Sequence, residues 1–179
     1  MHSTKSAFFS LLTILLTACA TGGNLNLPPL AVVPHVDLQR YVGQWYEIAS
    51  FPTWFQEGCT ATTASYSLKA NGDIEVLNQC RKGTLDGKLE SARGTAWVVD
   101  HTTNAKLAVR FFWPFSGKYW IIDLGPSYDD AAVGHPSRDY LWILSRTPSL
   151  DPVRYEEILK KLRQQHYDVD RLVLTRQKG

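Results

Sequence analysis

The chain has 179 residues, of which 44% are hydrophobic and 20% are charged, proportions that suit one globular domain able to bury a core. Lysine and arginine number 19 against 17 for aspartate and glutamate, with no run of like charge. This balance gives no argument for a nucleic-acid partner, and that class of protein is set aside.

The first 18 residues differ from the rest of the chain and predict a signal peptide. Lys5 precedes an apolar stretch that is too short for a transmembrane helix of about 20 residues. Leu16-Thr17-Ala18-Cys19 resembles the bacterial lipobox, in which the cysteine is lipidated and becomes the first residue after cleavage. The resemblance implies that Cys19 is the lipid anchor and that Ala20, in place of aspartate, directs the protein to the outer membrane, facing the periplasm. The alternative is an ordinary signal peptide followed by an incidental cysteine.

Residues 19–36 are predicted to form the lipidated cysteine and a flexible spacer. This segment is rich in Gly, Asn, Leu and Pro and has no sustained periodicity. The folded domain is then expected over residues 37–179, held off the bilayer surface by the spacer.

Two cysteines remain after Cys19, namely Cys59 and Cys80. An even pair in an oxidising compartment predicts a disulfide. Two such ligands without a nearby histidine pair are too few for a structural zinc site.

Short β-type runs with turn signals between them predict a β-sandwich or barrel. The clearest turn is at Asn71-Gly72, which offers the positive φ angles that a tight hairpin needs. The eight predicted strands span residues 44–51, 61–69, 73–81, 91–100, 105–113, 118–124, 130–134 and 139–146.

One segment near the C-terminus has the pattern of an amphipathic helix. Asp151-Pro152 supplies a cap and a proline at the first helical position, and apolar residues then recur at helical spacing until about His166. The helix is expected to pack outside the strands, and residues 172–174 could add an edge strand.

Two motifs about a hundred residues apart resemble those of the lipocalins. Gly43-Gln44-Trp45-Tyr46-Glu47-Ile48-Ala49 is similar to the family's opening motif. Asp139-Tyr140-Leu141-Trp142-Ile143-Leu144-Ser145-Arg146-Thr147-Pro148 is similar to the last barrel strand of bacterial outer-membrane lipocalins and of the apolipoprotein D type. With Tyr66-Ser67-Leu68 between them, the resemblance covers roughly residues 37–175. It implies an all-β fold, an eight-stranded up-and-down antiparallel barrel with a C-terminal helix outside, which holds one small hydrophobic ligand.

The two ends of such a barrel place Trp45 and Arg146 together. The first strand leaves the closed base and the eighth returns to it, so the guanidinium should lie over the indole and plug the base. This contact is worth up to about 2 kcal/mol when it is desolvated. The alternative for Arg146 is a solvated surface charge.

Alternation along the strands selects the residues that face the cavity, because residues two apart share a face. If Arg146 points inward, Trp142 and Tyr140 do so too. A three-residue loop at residues 70–72 pairs positions whose numbers sum to 142, which places Tyr66 and Asn78 on one face. A two-residue turn would break this agreement.

The fifth strand places Phe111 on its apolar face, with Tyr119 as a neighbour across the hairpin. In apolipoprotein D-like lipocalins, the positions equivalent to Tyr66, Asn78 and Trp142 line the pocket, as the resemblance implies. For each of these aromatic residues the alternative is simple core packing. The predicted ligand-binding residues are Tyr66, Asn78, Phe111, Tyr119, Tyr140 and Trp142.

Four aromatic residues are predicted at the open mouth: Trp54, Phe55, Trp113 and Phe115. Aromatics grouped in this way favour contact with a ligand or with bilayer lipid during loading, and a homodimer through the mouth is a further alternative. Cys59 and Cys80 lie at the same end. The register sets Cys80 opposite Thr62, so the mouth loop would have to fold back by about three residues to form the bridge.

A wall of this kind suits a fatty acid or lysophospholipid, so a carrier without catalytic activity, metal or cofactor is the preferred interpretation. The sequence has no nucleophile elbow, no phosphate loop and no His-Glu-x-x-His motif. The alternatives are a lipid-modifying enzyme that uses a free Cys80 and a structural envelope protein whose barrel is filled by side chains.

Overall fold

A computed structural model of the protein describes residues 27–178. The predicted signal peptide, residues 1–18, and the predicted anchor, Cys19, lie outside the described residues. Among the residues described, no helix is long and apolar enough to cross a bilayer.

Eight antiparallel strands form a closed barrel, as predicted. Each strand pairs with the next, and the first pairs with both the second and the eighth. The strands are β1 (Gly43–Ser50), β2 (Cys59–Leu68), β3 (Ile74–Lys82), β4 (Leu89–Val98), β5 (Lys106–Phe112), β6 (Phe115–Leu124), β7 (Asp130–Gly134) and β8 (Leu141–Ser145). A short strand, β9 (Val173–Leu174), pairs with the end of β1.

Two helices accompany the barrel. The first, α1 (Leu38–Tyr41), is capped by Asp37, whose carboxylate accepts hydrogen bonds from the Gln39 and Arg40 amides. The second, α2 (Pro152–Gln164), begins after Asp151, which caps it as the sequence predicts. Single 3₁₀ turns lie at Trp54–Gln56 and Val169–Arg171.

Helix α2 packs on the outside of the barrel, which confirms that prediction. Its buried residues, Ile158, Leu159 and Leu162, contact an outer cluster that includes Ile143 of β8. Charged groups flank this seam: the Arg154 guanidinium lies 2.5 Å from Asp123 and 2.6 Å from Asp130. A second cluster fills the barrel interior from the base upward.

The register of the β2–β3 hairpin agrees with the prediction. Tyr66 pairs with Val76 and Ala64 with Asn78, so the numbers of facing residues sum to 142. Gly72 has a φ of +87°, a value that favours glycine at the turn.

A disulfide joins Cys59 and Cys80, with their Cα atoms 5.5 Å apart, as predicted. The predicted fold-back of the mouth loop is wrong. Instead, β2 reaches Cys59 with one extra residue opposite β3 and has a positive φ of 48° at Ala61. This bulge pairs Cys59 with Lys82 and therefore turns it to the face that carries Cys80.

The predicted spacer is partly incorrect. Residues 27–36 lie along the domain, with Leu30 and Val36 buried. The Val33 amide donates to the Ile121 carbonyl and the Val36 amide donates to that of Thr103. The backbone N–H and C=O groups of an extended, proline-containing segment can form hydrogen bonds with other segments of the fold. Composition alone does not reveal these bonds.

The C-terminal segment, residues 173–177, fills a gap in the wall. β1 pairs with β2 only between Gly43 and Tyr46, and above that point its partner is β9. The Ala61 amide donates to the Arg176 carbonyl, so the segment bridges β1 and β2 near the open end.

Candidate functional site

The base of the barrel is closed by α1, Trp45 and Arg146. The guanidinium carbon lies 3.7 Å from the centroid of the Trp45 ring, which confirms the predicted contact. Arg146 also donates to five backbone carbonyl oxygens at 2.8–3.1 Å, including those of Tyr41 and Gln44. A Cβ atom at Gly43, which has a φ of +99°, would lie 3.3 Å from the guanidinium. The base is therefore a packed plug.

Three tyrosines form a polar floor above this plug. The Tyr119 hydroxyl lies 2.8 Å from that of Tyr41 and 3.1 Å from that of Tyr66. Burial raises the pKa of Tyr66 to about 12, and it also raises the pKa of Tyr41 and of Tyr119 above the ordinary tyrosine value. The hydroxyls are neutral at pH 7. Two contacts use two of their three protons, so within residues 27–178 one donor is left for another group.

Small residues surround the middle of the interior, which we call the lumen. Ala64 and Ala92 flank Asn78 on neighbouring strands, Gly94 pairs with Val76, and Gly117 faces Val109 across the β5–β6 hairpin. Since large side chains here would fill the interior, this ring of small residues leaves width above the tyrosine floor.

Asn78 carries the clearest unused polar atom of the lumen. Its side-chain oxygen is buried and has no hydrogen-bond partner among the described residues. A buried amide oxygen without a donor is costly, unless a ligand or water supplies one.

Exposure of the lumen wall rises from base to mouth. Along the inner face of β6, Ile121 is fully buried, Tyr119 is partly buried, Gly117 is exposed and Phe115 is 78% exposed. Ala92 of β4 is exposed as well. The lower interior is thus packed and the upper interior is reached by solvent.

The remaining predicted site residues lie on two walls. The Phe111 ring packs against Gly94, where a Cβ atom would approach its Cδ1 to 2.9 Å. Trp142 faces inward on β8, and the Tyr140 ring stacks on it with centroids 6.1 Å apart. The six residues predicted for the ligand thus all border the interior, though Tyr140 does so from the loop before β8.

Sequence reasoning missed a hydrogen-bonded chain beside Trp142. The Trp142 indole donates to Gln56 at 3.0 Å, and Gln56 donates to the buried Glu47 carboxylate at 2.8 Å. Alternation from Trp45 places Glu47 on the inner face and could have found it. Gln56 lies in the mouth loop, whose path no pattern predicts.

The mouth aromatics occupy two loops at the open end. The ring centroids of Trp54 and Phe55 lie 5.6 Å apart. Trp113 and Phe115 lie at the β5–β6 turn. All four are at least half exposed, with Trp54 at 84%. Trp113 also borders a groove on the outer wall with Arg93 and Arg110.

The described residues contain no group of three or more histidine, cysteine or acidic side chains placed to hold a metal ion. Cys80, which an enzymatic interpretation would need as a free thiol, is bonded to Cys59.

A closed eight-stranded barrel with a plugged base and an open upper lumen defines a class of proteins that hold one small ligand inside the barrel. The chain belongs to the lipocalins: the profile of the Lipocalin-like domain matches residues 36–177. Lipocalins are generally binding proteins without enzymatic activity and take small hydrophobic ligands.

Several relatives are similar over most of their length. The outer membrane lipoprotein Blc of Escherichia coli (strain K12) is 38% identical over 167 residues, 92% of each chain. Temperature-induced lipocalin-1 of Arabidopsis thaliana is 38% identical over 157 residues, 83% of each chain. Apolipoprotein D of Bos taurus is 34% identical over 164 residues, 87% of this chain and 83% of its own.

Solved structures share the fold at lower identity. Insecticyanin from the tobacco hornworm Manduca sexta superposes with a TM-score of 0.69 at 19% identity, covering 86% of this chain and 87% of its own. This likeness supports the barrel architecture alone.

Proposed function

We propose that the protein binds one single-chain amphiphile, a fatty acid or lysophospholipid, in the upper lumen and stores or carries it at the outer membrane. The observation that carries this proposal is the lumen lined by small residues above the tyrosine floor. The spare tyrosine hydroxyl donor there can bind a carboxylate, and the unpartnered Asn78 oxygen can accept from the glycerol hydroxyl of a lysophospholipid. The acyl chain would lie against Phe111 and Trp142. Burying about eight methylene groups contributes about 6 kcal/mol, enough for micromolar binding once hydrogen bonds are added and ordering costs subtracted.

Anchoring through Cys19 is the second part of the proposal. The lipobox-like sequence at residues 16–19 supports it, as does the similarity to proteins that are outer membrane lipoproteins. Metabolic labelling with radioactive palmitate should modify the wild type and leave Cys19→Ser unlabelled. Equal labelling of both proteins would contradict the anchor.

Filling the lumen tests the binding proposal. Ala92→Trp places an indole on the inner face of β4 beside Asn78, so palmitate affinity should fall at least about tenfold. The matched control is Arg93→Trp, the next residue, which points outward and is exposed. Fluorescence titration with palmitate measures both, and equal affinities in the two variants would contradict binding in the lumen.

The mouth aromatics support loading from a membrane, since exposed aromatic rings favour the bilayer interface. Replacing Trp54, Phe55, Trp113 and Phe115 by serine should slow lipid uptake from vesicles without changing affinity for monomeric lipid. The control replaces three outward-facing residues of the barrel wall that are not at the mouth. Unchanged uptake by the quadruple variant would refute this part of the proposal.

A further inference from the structure

A second pocket, of about 610 Å³, lies beside the mouth on the β1 and β2 side of the barrel. Its walls come from the end of β1, the mouth loop at residues 52–58, the start of β2 and the C-terminal segment. No residue of β3 to β8 lines it, so it does not include the lumen wall that carries Asn78 and Phe111. Its connection to the lumen is the hydrogen-bonded chain from Glu47 through Gln56 to Trp142. We call it the side pocket.

The Glu47 carboxylate lies at the floor of the side pocket. Ser50 donates to it at 3.1 Å, Gln56 at 2.8 Å and Thr175 at 2.5 Å. All three donors are neutral, and in the described part of the chain no lysine, arginine or histidine nitrogen lies within 4.0 Å of it. Glu47 is only 6% exposed.

A buried carboxylate without a positive partner is an uncommon arrangement. Its desolvation is costly, and side chains of opposite charge usually accompany such groups. The other charged residues that line the side pocket, Glu57 and Arg176, are exposed and opposite in sign. The pocket therefore has one uncompensated negative charge at its floor.

The rim of the side pocket is apolar. Pro52 and Trp54 come from the mouth loop, and Val173 and Leu174 come from β9. Trp54, Val173 and Leu174 are all more than half exposed. An occupant that matches both parts carries a cation at one end and an apolar chain at the other.

We propose that the side pocket binds an alkylammonium group, with the ammonium against Glu47 and the chain along the apolar rim. An ammonium supplies up to three donors and the missing positive charge. The same chemistry is offered by a free alkylamine and by the amine headgroup of a lipid. This site is additional to the lumen site proposed above, and the two are joined by the hydrogen-bonded chain from Glu47 through Gln56 to Trp142.

Calorimetric titration with octylammonium, which is charged at pH 7, tests the proposal against octanol as the neutral probe of equal chain length. Wild type should bind octylammonium more tightly than octanol. In Glu47→Gln the octylammonium affinity should fall at least about tenfold, while octanol binding is unchanged. Equal octylammonium affinity in wild type and Glu47→Gln would overturn the proposal.

A second pair of variants covers the case in which Glu47→Gln fails to fold. Leu174 is 67% exposed and lines the side pocket, so Leu174→Lys adds a competing cation without disturbing the core. It should weaken octylammonium binding, whereas its matched control, Leu174→Met, should not. Identical affinities in these two variants would also overturn the proposal. Because the comparison relies on Glu47 and Leu174, it holds whether or not palmitate binds in the lumen.

The source of the amine is distinguished by a parallel titration with monomeric dihexanoyl phosphatidylethanolamine. Binding that depends on Glu47 for this lipid assigns the site to a headgroup, and such binding for octylammonium alone assigns it to free amines. If the binding of neither probe depends on Glu47, the proposed site is contradicted.

Discussion

Arg146 does more at the base of the barrel than a surface charge would. Its guanidinium stacks over Trp45 and contacts five backbone carbonyl oxygens that belong to α1, the start of β1 and the turn before β7. The side chain, at the end of β8, therefore joins residues 40–44 to the turn at Tyr128, and these three places are distant in sequence.

Truncation of this residue should be costly. Arg146→Ala removes the stacking and the donors together, so the free energy of unfolding should fall by about 3 kcal/mol. Urea denaturation measures the loss. The control is Arg93→Ala, because the Arg93 side chain is 70% exposed and its ion pair with Glu75 lies at the surface, where a change below about 1 kcal/mol is expected. Equal losses in the two variants would show that Arg146 is not part of the plug.

Strand alternation predicts which side chains face the interior of the barrel. Tyr66, Asn78 and Trp142 face the interior because one hairpin register and one inward arginine determine their parity. Alternation does not fix the direction of Trp113, since the register between β5 and β6 is irregular at the turn and leaves no periodic signal.

At the scale of elements, the tyrosine floor joins α1, β2 and β6 through Tyr41, Tyr66 and Tyr119. Each hydroxyl is neutral in the folded protein because burial raises its pKa above the ordinary value of 10.0. The contribution of these groups is complete below pH 10. Above it, the unfolded chain releases protons that the folded protein retains, so stability declines as the pH rises.

The raised pKa values predict how the free energy of unfolding changes with pH. Between pH 10 and about 12, the upper limit set by the pKa of Tyr66, each such tyrosine should lower the free energy of unfolding by about 1.4 kcal/mol per pH unit. Tyr66→Phe should reduce the slope by that amount, as measured by urea denaturation across the range. The control is Tyr140→Phe at the mouth, outside the trio. A slope unchanged by Tyr66→Phe would contradict the buried floor.

Other elements show where sequence patterns stop being informative. The strands, α2 and its cap at Asp151 follow from hydrophobic periodicity and turn chemistry. The bulge at Ala61 does not, because an alanine with positive φ has no sequence signature, and yet it decides how Cys59 reaches Cys80. The composition of residues 27–36 predicts a spacer, because their contacts with the barrel are long-range and leave no local pattern.

At the scale of the whole molecule, the barrel combines a packed lower half with an open upper half. A structural protein would gain stability from a lumen filled by large side chains, whereas Ala64, Ala92, Gly94 and Gly117 leave it wide. The C-terminal segment closes the wall between β1 and β2 and brings the side pocket next to the mouth. The barrel is therefore closed at its base and has an interior that opens at the mouth.

The measurement that most directly tests this account is native mass spectrometry of the mature domain. Cys19 is replaced by serine, the protein is taken directly from the periplasm, and its lipids are extracted and identified. We predict a one-to-one complex with a fatty acid or lysophospholipid, and the same spectrum shows by mass whether the alternative, a homodimer, forms. An empty barrel that also refuses added palmitate would contradict the carrier function.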